Sequence, residues 1–232
     1  MTKIFIDPGH GGRDPGAVAN GMQEKELALQ IGLRMRDILL NEYDGVQVRM
    51  SRDRDVFVSL EDRARMANNW GADYFVSIHH NAGGGTGFES FIHTSQASRT
   101  VALRNVVHDE IMRMLSGVRD RGKKAANFAV LRLTRMPAVL TENLFVDNAN
   151  DARLLRDSAF LDRIARGHVN GLAKAFGLKK KQKPQPKAQT QPQGNVMYRV
   201  VTGSFADRAN AEKRVAELKK AGFDSFIDVY RP

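Results

Sequence analysis

Apolar residues recur along this chain in two rhythms. Ile4-Phe5-Ile6 and Tyr74-Phe75-Val76-Ser77-Ile78 are short, nearly unbroken runs with the length and residue types of buried strands. Leu27, Ile31, Met35 and Ile38 instead repeat at helical spacing, which predicts an amphipathic helix over Glu24–Glu42. Val46, Val48 and Met50 alternate as a half-buried strand should. Ser59-Leu60-Glu61-Asp62 has the pattern of a capping box opening a helix toward Trp70, and Gly71-Ala72-Asp73 breaks that helix. Further strands are expected at 88–93, 128–131 and 138–141, and further helices at 98–115, 151–156 and 159–176.

Strands alternating with helices predict an α/β domain over residues 1–178, a three-layer α/β/α stack around a mostly parallel twisted sheet. The pattern stops at Lys179. Residues 179–196 consist mainly of Lys, Gln and Pro, the composition of an extended basic linker. Residues 197–232 regain apolar periodicity: a strand at 198–205, a helix at 207–221 and a strand at 223–230. This single βαβ unit is small for an independent core.

Charge narrows the choice of partners. The formal net charge is +10, and five lysines with no acid in residues 179–195 carry half of it. The tail from 196 holds seven basic and five acidic residues, leaving +3 for residues 1–178. Attraction to an anionic polymer such as a cell wall fits this distribution, whereas no element for reading specific nucleic acid is recognisable. The chain has no cysteine, so any metal must be held by His, Asp or Glu. No apolar run approaches the roughly 18 residues of a transmembrane segment. A strand starting at Lys3 also leaves no room for a leader, so the expectation is cytoplasmic synthesis without a signal peptide and action at the wall after release.

Four residues stand where chemistry could be done. The turn Asp7-Pro8-Gly9 puts His10 just past the end of the first strand, where α/β sheets place ligands. His79 ends a second apolar run, Glu24 opens the first long helix, and Glu142 follows the run 138–141. Two histidines and a glutamate suit Zn²⁺ and leave a fourth position open. A further carboxyl, partly desolvated at a strand end, suits proton transfer. Plainer readings compete on the residues alone. A histidine in a glycine-rich turn is a common surface feature, and a phosphate loop would need a Gly-Lys-Ser/Thr that is missing. Glu24 could serve only the helix dipole, worth about 0.3–1 kcal/mol, and Glu142 could pair with an arginine.

Several motifs come in order along residues 1–178. They are Ile6-Asp7-Pro8-Gly9-His10-Gly11-Gly12 with Asp14-Pro15-Gly16-Ala17, and Gly21-Met22-Gln23-Glu24-Lys25. Leu60, Arg63, Ala67 and Asn68 follow, then Ser77-Ile78-His79-His80-Asn81-Ala82 and Pro137-Ala138-Val139-Leu140-Thr141-Glu142-Asn143. This set resembles the zinc-dependent N-acetylmuramoyl-L-alanine amidases of the type-3 amidase family. The resemblance implies Zn²⁺ on His10, Glu24 and His79, Glu142 as catalytic acid/base, and Asn81 and Arg63 in substrate binding. The bond cut would join the lactyl group of N-acetylmuramic acid to L-alanine in peptidoglycan. His80 is left outside the metal shell, and His93, His108 and His168 match no motif.

Division-associated relatives carry an extra helix that occludes the zinc, but residues 93–121 have room for one helix only. An open, lytic enzyme is therefore expected, as a phage endolysin or in mother-cell lysis during sporulation. In the tail, Tyr198-Arg199-Val200-Val201-Thr202-Gly203-Ser204-Phe205, Asn210-Ala211-Glu212 and Ala221-Gly222-Phe223 resemble one SPOR peptidoglycan-binding repeat. That family's domain has two repeats, so wall binding is expected and two copies could complete it as a homodimer. The rivals are a zinc peptidase acting within the stem peptide and a non-catalytic peptidoglycan-binding protein.

Overall fold

The computed structural model describes residues 1–181 and 201–229, and the chain divides into two units, Met1–Lys183 and Pro184–Pro232. The first unit begins with β1 (Thr2–Pro8), the small hairpin β2 (Val18–Ala19) and β3 (Met22–Gln23), and α1 (Glu24–Glu42). Then come β4 (Tyr43–Asp44), β5 (Val46–Met50), α2 (Leu60–Trp70), β6 (Tyr74–Asn81), β7 (Phe88–Ile92) and α3 (Ser98–Met114). It closes with β8 (Asp120–Ala125), α4 (Ala129–Leu133), β9 (Ala138–Phe145), α5 (Ala149–Leu155), α6 (Ser158–Phe176) and β10 (Lys179–Lys180). One six-stranded sheet runs in the order β5-β1-β6-β9-β7-β8. It is parallel from β5 to β9, and β7 pairs antiparallel with β9 while β8 runs parallel to β7.

Side-chain alternation along these strands sorts the core into two layers. Ile4, Ile6, Tyr74, Val76, Ile78 and Val139 point to one face and pack with Leu27, Ile31 and Met35 of α1, Ile111 of α3 and Ile164 of α6. Phe5, Phe75, Ala138 and Leu140 point to the other, against Ala67 of α2 and Val130 and Leu131 of α4. The Ser59 hydroxyl caps α2 by accepting from Asp62 N, as the capping pattern predicts. The three-layer, mostly parallel reading therefore holds.

Two local expectations do not, and one strand was not expected at all. Residues 128–131 were expected as a strand, but Ala129–Leu133 is a short helix; its Val130 and Leu131 reach the smaller core cluster from a helical turn. The edge strand β8 was not anticipated, because its sequence DRGKKA lacks apolar alternation. Lys179 and Lys180, expected to open the linker, pair with Asp44 and Tyr43. The rest of the linker, from 182 to 196, lies outside the described residues.

In the second unit the described residues contain α7 (Arg208–Lys220), capped by the Asp207 carboxylate accepting from Ala209 N. The expected strands are not found in their described parts, 201–205 and 223–229; residues 198–200 and 230 lie outside the described residues. Val201, Phe223 and Val229 are largely exposed.

Candidate metal centre

The centre is built at the carboxyl ends of β1 and β6 and the amino end of α1. Past β1 the chain turns sharply, and His10 takes a left-handed backbone, φ 59°. That conformation costs a non-glycine residue of the order of 1–2 kcal/mol, so the turn needs external support. Two buried arginines supply it. Arg63 donates from Nη1 to Pro8 O at 2.6 Å and from Nη2 to His10 O at 2.6 Å; Arg52 donates from Nε to Pro8 O at 3.0 Å and from Nη2 to Gly9 O at 2.7 Å. Arg63 is in turn paired with Asp7, whose side chain is fully buried and also accepts from Ser51 and Ser77.

His10 leans by Nδ1 on Asp14 Oδ2, 2.9 Å away, which leaves Nε2 turned toward Glu24 Oε1 at 3.2 Å. His79 approaches the same oxygen through Nδ1 at 2.9 Å. The two imidazoles stand edge to face with centroids 4.9 Å apart. Glu24 is 4% exposed, and its other oxygen accepts from Ala17 N while Oε1 also accepts from His80 N. Ligand atoms of His10, Glu24 and His79 all lie within 4.8 Å of one another. Gly9 makes this approach possible, since a Cβ there would sit 2.3 Å from His79 Cε1.

Electrostatics agree with the geometry. Burial opposes the charge on Glu24, yet its hydrogen bonds with His10 and His79 hold its carboxyl far below the usual range. For His10 burial acts downward, but Glu24 and Asp14 together raise it. A carboxylate braced by backbone donors between two imidazoles, one oriented by a second carboxylate, is a fitting donor set for a divalent metal.

Glu142 is His79's register partner across β6 and β9, so both side chains share one sheet face. Its Oε2 is buried without a hydrogen-bond partner among the described residues. Burial raises its carboxyl well above the ordinary value, and the charges of Glu24 and Glu89 push the same way. Beneath it, on the opposite face, His168 joins Thr141 Oγ1 to Ile164 O, and Asn143 Nδ2 ties Thr141 to His79 O.

The other site expectations fare differently. Arg63 is 2% exposed and its hydrogen bonds go to Asp7 and the carbonyls of Val58, Pro8 and His10, so it holds the His10 turn and offers no face to substrate. Asn81 spends its amide nitrogen on Glu89 Oε1 at 2.7 Å. The His80 ring points, like Ile78, to the face packed by α1, α3 and α6 and bonds Asn143 O. His108 and His168 are buried structural residues and His93 bonds locally to Ser95. Three contributors escaped the sequence reading: Asp14, Arg52 and Glu89. Asp14 lies within the Asp14-Pro15-Gly16-Ala17 motif, but nothing in Arg52 or Glu89 marks them until their partners are known.

Fold and centre together define a hydrolase of the α/β/α class with a candidate metal site at its strand ends. The chain belongs to the N-acetylmuramoyl-L-alanine amidase family, whose model matches residues 4–174; a SPOR domain model matches residues 167–228. It is 51% identical over 227 residues to the sporulation-specific N-acetylmuramoyl-L-alanine amidase of Bacillus subtilis, covering 98% of this chain and 84% of that one. It is 49% identical over 187 residues to the endolysin of Bacillus phage SPP1, covering 78% and 69%. Among solved structures, the catalytic domain of the amidase CwlV from Bacillus (Paenibacillus) polymyxa var. colistinus superposes with a TM-score of 0.73 at 35% identity, covering 77% of this chain and all of that one.

Proposed function

We propose that this protein hydrolyses the amide between the lactyl group of N-acetylmuramic acid and L-alanine in peptidoglycan. Its Zn²⁺ is held by His10, Glu24 and His79, and Glu142 is the general acid/base. The observation that carries this reading is the convergence of three ligand atoms next to Glu142, whose Oε2 is buried and has no hydrogen-bond partner among the described residues. Zn²⁺ in such a site supplies Lewis acidity, polarising a carbonyl and acidifying water. Glu142 then does the proton work. With its carboxyl raised by burial it can take a proton from attacking water and return it to the leaving nitrogen. Asp14 and the Arg52–Arg63 pair keep His10 aimed, and Glu24 keeps both imidazoles facing one point.

Between β7 and β8 the described chain has room for α3 alone, so no second helix is available there to cover the centre. An enzyme open without activation suits wall lysis, and the sporulation and phage relatives support that setting. No helix among the described residues is long and apolar enough to cross a membrane. The SPOR match supports the tail as the wall-binding part, with its exposed Val201 and Phe223 as the surface that wall would cover. The intact ligand and acid positions speak against a binding-only role.

Mass spectrometry of digested sacculi tests the reaction. An amidase releases stem peptides beginning with a free L-alanine amine and leaves the glycan intact. Products cut within the stem peptide would favour a zinc peptidase instead.

A further inference from the structure

A row of side chains across the sheet gives the site a direction. His79 on β6 is opposite Glu142 on β9, and Glu142 is opposite Glu89 on β7. Beyond Glu89 the ladder bulges, so that β8 sets Arg121 and Gly122 against a single residue. Neighbouring strands lie about 4.8 Å apart, so the row steps from metal ligand to acid to Glu89 to Arg121. An amide with its carbonyl at the ligand end and its nitrogen at Glu142 has Glu89 and Arg121 ahead of its leaving peptide.

Arg121 is prepared for an anion. Its Nε donates to Glu89 Oε2 at 2.9 Å, and its guanidinium lies 4.8 Å from the centroid of the Phe145 ring. Its terminal nitrogens make no hydrogen bond among the described residues, and the side chain is 25% exposed. Glu89 does not cancel its charge, because the same carboxylate also accepts from Lys124 and from Asn81. Two cations share this one carboxylate, so Glu89 does not neutralise Arg121 alone. The turn is braced from behind, where His108 spans Ser90 Oγ at 2.7 Å and Asp120 Oδ1 at 3.0 Å, and Gly122 N donates to that same Asp120 oxygen.

We propose that Arg121, held by Glu89 and Phe145, binds a carboxylate on the second residue of the leaving stem peptide and sets a preference for peptides that carry one. Two extended residues span roughly 7 Å. That matches the one to two strand spacings from Glu142 to a guanidinium that reaches back to Glu89. A planar fork with both terminal nitrogens free is suited to bidentate carboxylate binding. The proposal rests on the amidase reading.

The test uses full-length, zinc-loaded protein and two peptides that begin with L-alanine. One bears a free carboxylate on its second residue and the other bears the carboxamide. Calorimetry should show wild type binding the carboxylate peptide about tenfold more tightly or better. Arg121→Gln should abolish the difference and Arg121→Lys should keep part of it, with fold and bound zinc checked in each. In turnover of carboxylate-bearing muropeptides, Arg121→Gln should raise KM more than it lowers kcat. Equal wild-type affinity for the two peptides overturns the proposal with no variant needed, so a misfolded Arg121→Gln cannot shield it. Discrimination that survives in a folded Arg121→Gln also overturns it. Failure of the amidase reading is visible separately: wild type would then cleave no muramoyl–alanine bond, whichever peptide it binds.

Discussion

Glu142 and His79 are cross-strand partners on β9 and β6, and their side chains leave the same face of the sheet side by side. The register of two parallel strands thus sets a half-buried acid, with one oxygen shut away from solvent, next to a candidate metal ligand. Glu142→Gln keeps the shape and removes the titrating group. It is expected to bind zinc like wild type and to lose about 10²–10⁴-fold in turnover. Near-normal activity on purified muropeptides would make Glu142 a structural residue.

Metal removal should silence the enzyme, and Zn²⁺ should restore it. His79→Ala is expected to lose the metal, measured by elemental analysis. His80→Ala should retain it, because His80 faces the opposite side of the strand and bonds Asn143 O. Retained metal in the first variant and lost metal in the second would shift the ligand by one residue. Gly9→Ala offers a subtler probe. Its Cβ would press on the His79 ring, and zinc affinity should fall about tenfold or more.

Arg63 has no contact with the ligand cluster's side chains, yet its loss should be severe. Arg63→Ala leaves the fully buried Asp7 without its ion-pair partner and releases the carbonyl of His10. Breaking one partner of a buried ion pair costs about 3–5 kcal/mol, to be read from denaturant unfolding. Arg63→Lys should recover part of the stability but less of the zinc affinity, since an ammonium cannot span both carbonyls and Asp7.

The contrast between His79 and Glu89 shows what the sequence could reveal. His79 follows a run of β-prone residues, and Glu24 starts a helix with clear periodicity, so local pattern placed both. Glu89 lies within a strand like any polar residue, and only the antiparallel return of β7 beside β9 puts it opposite Glu142. Residues 128–131 mislead for a related reason. Four residues cannot display a helical period, and what holds Ala129–Leu133 helical is its packing on the smaller core cluster. β8 hides because an edge strand with Lys and Arg has little apolar alternation to read.

His168 gives a pH prediction with a definite sign. Burial is the main cause lowering its pKa to about 4, and the His80 charge acts in the same direction. A histidine depressed in the folded state stabilises fully above its unfolded value near 6.5, and that contribution is lost as pH falls through 4. The shift corresponds to about 3 kcal/mol. Thermal stability should therefore fall between pH 6.5 and 4, and histidine NMR should show His168 still unprotonated at pH 5. A His168 that titrates near 6.5 would remove this explanation of acid lability.

The tail provides the last prediction, and the point of truncation matters. Lys179 and Lys180 pair with Asp44 and Tyr43, and Lys181 N donates to Glu42 O at 2.7 Å. A cut after Gly177 would strip a strand from the catalytic unit, whereas a cut after Lys181 leaves it whole. The SPOR match begins at residue 167, inside α6, where Gly167, His168 and Leu172 are buried in the catalytic core. Those residues serve the first unit by packing whatever the tail does. Deleting 182–232 is therefore expected to leave zinc content and cleavage of soluble muropeptides unchanged. Binding to whole sacculi should drop, because it removes α7 together with the exposed Val201 and Phe223 and the five-lysine segment's Lys183 and Lys187. Raising salt should weaken the full-length protein's sacculus binding if the lysines contribute, and leave the truncated form little affected. Sedimentation of both forms then decides the association question: a dimer that becomes monomeric on truncation assigns self-assembly to the tail. Loss of zinc on truncation would instead make the tail part of the catalytic fold and end the two-unit reading.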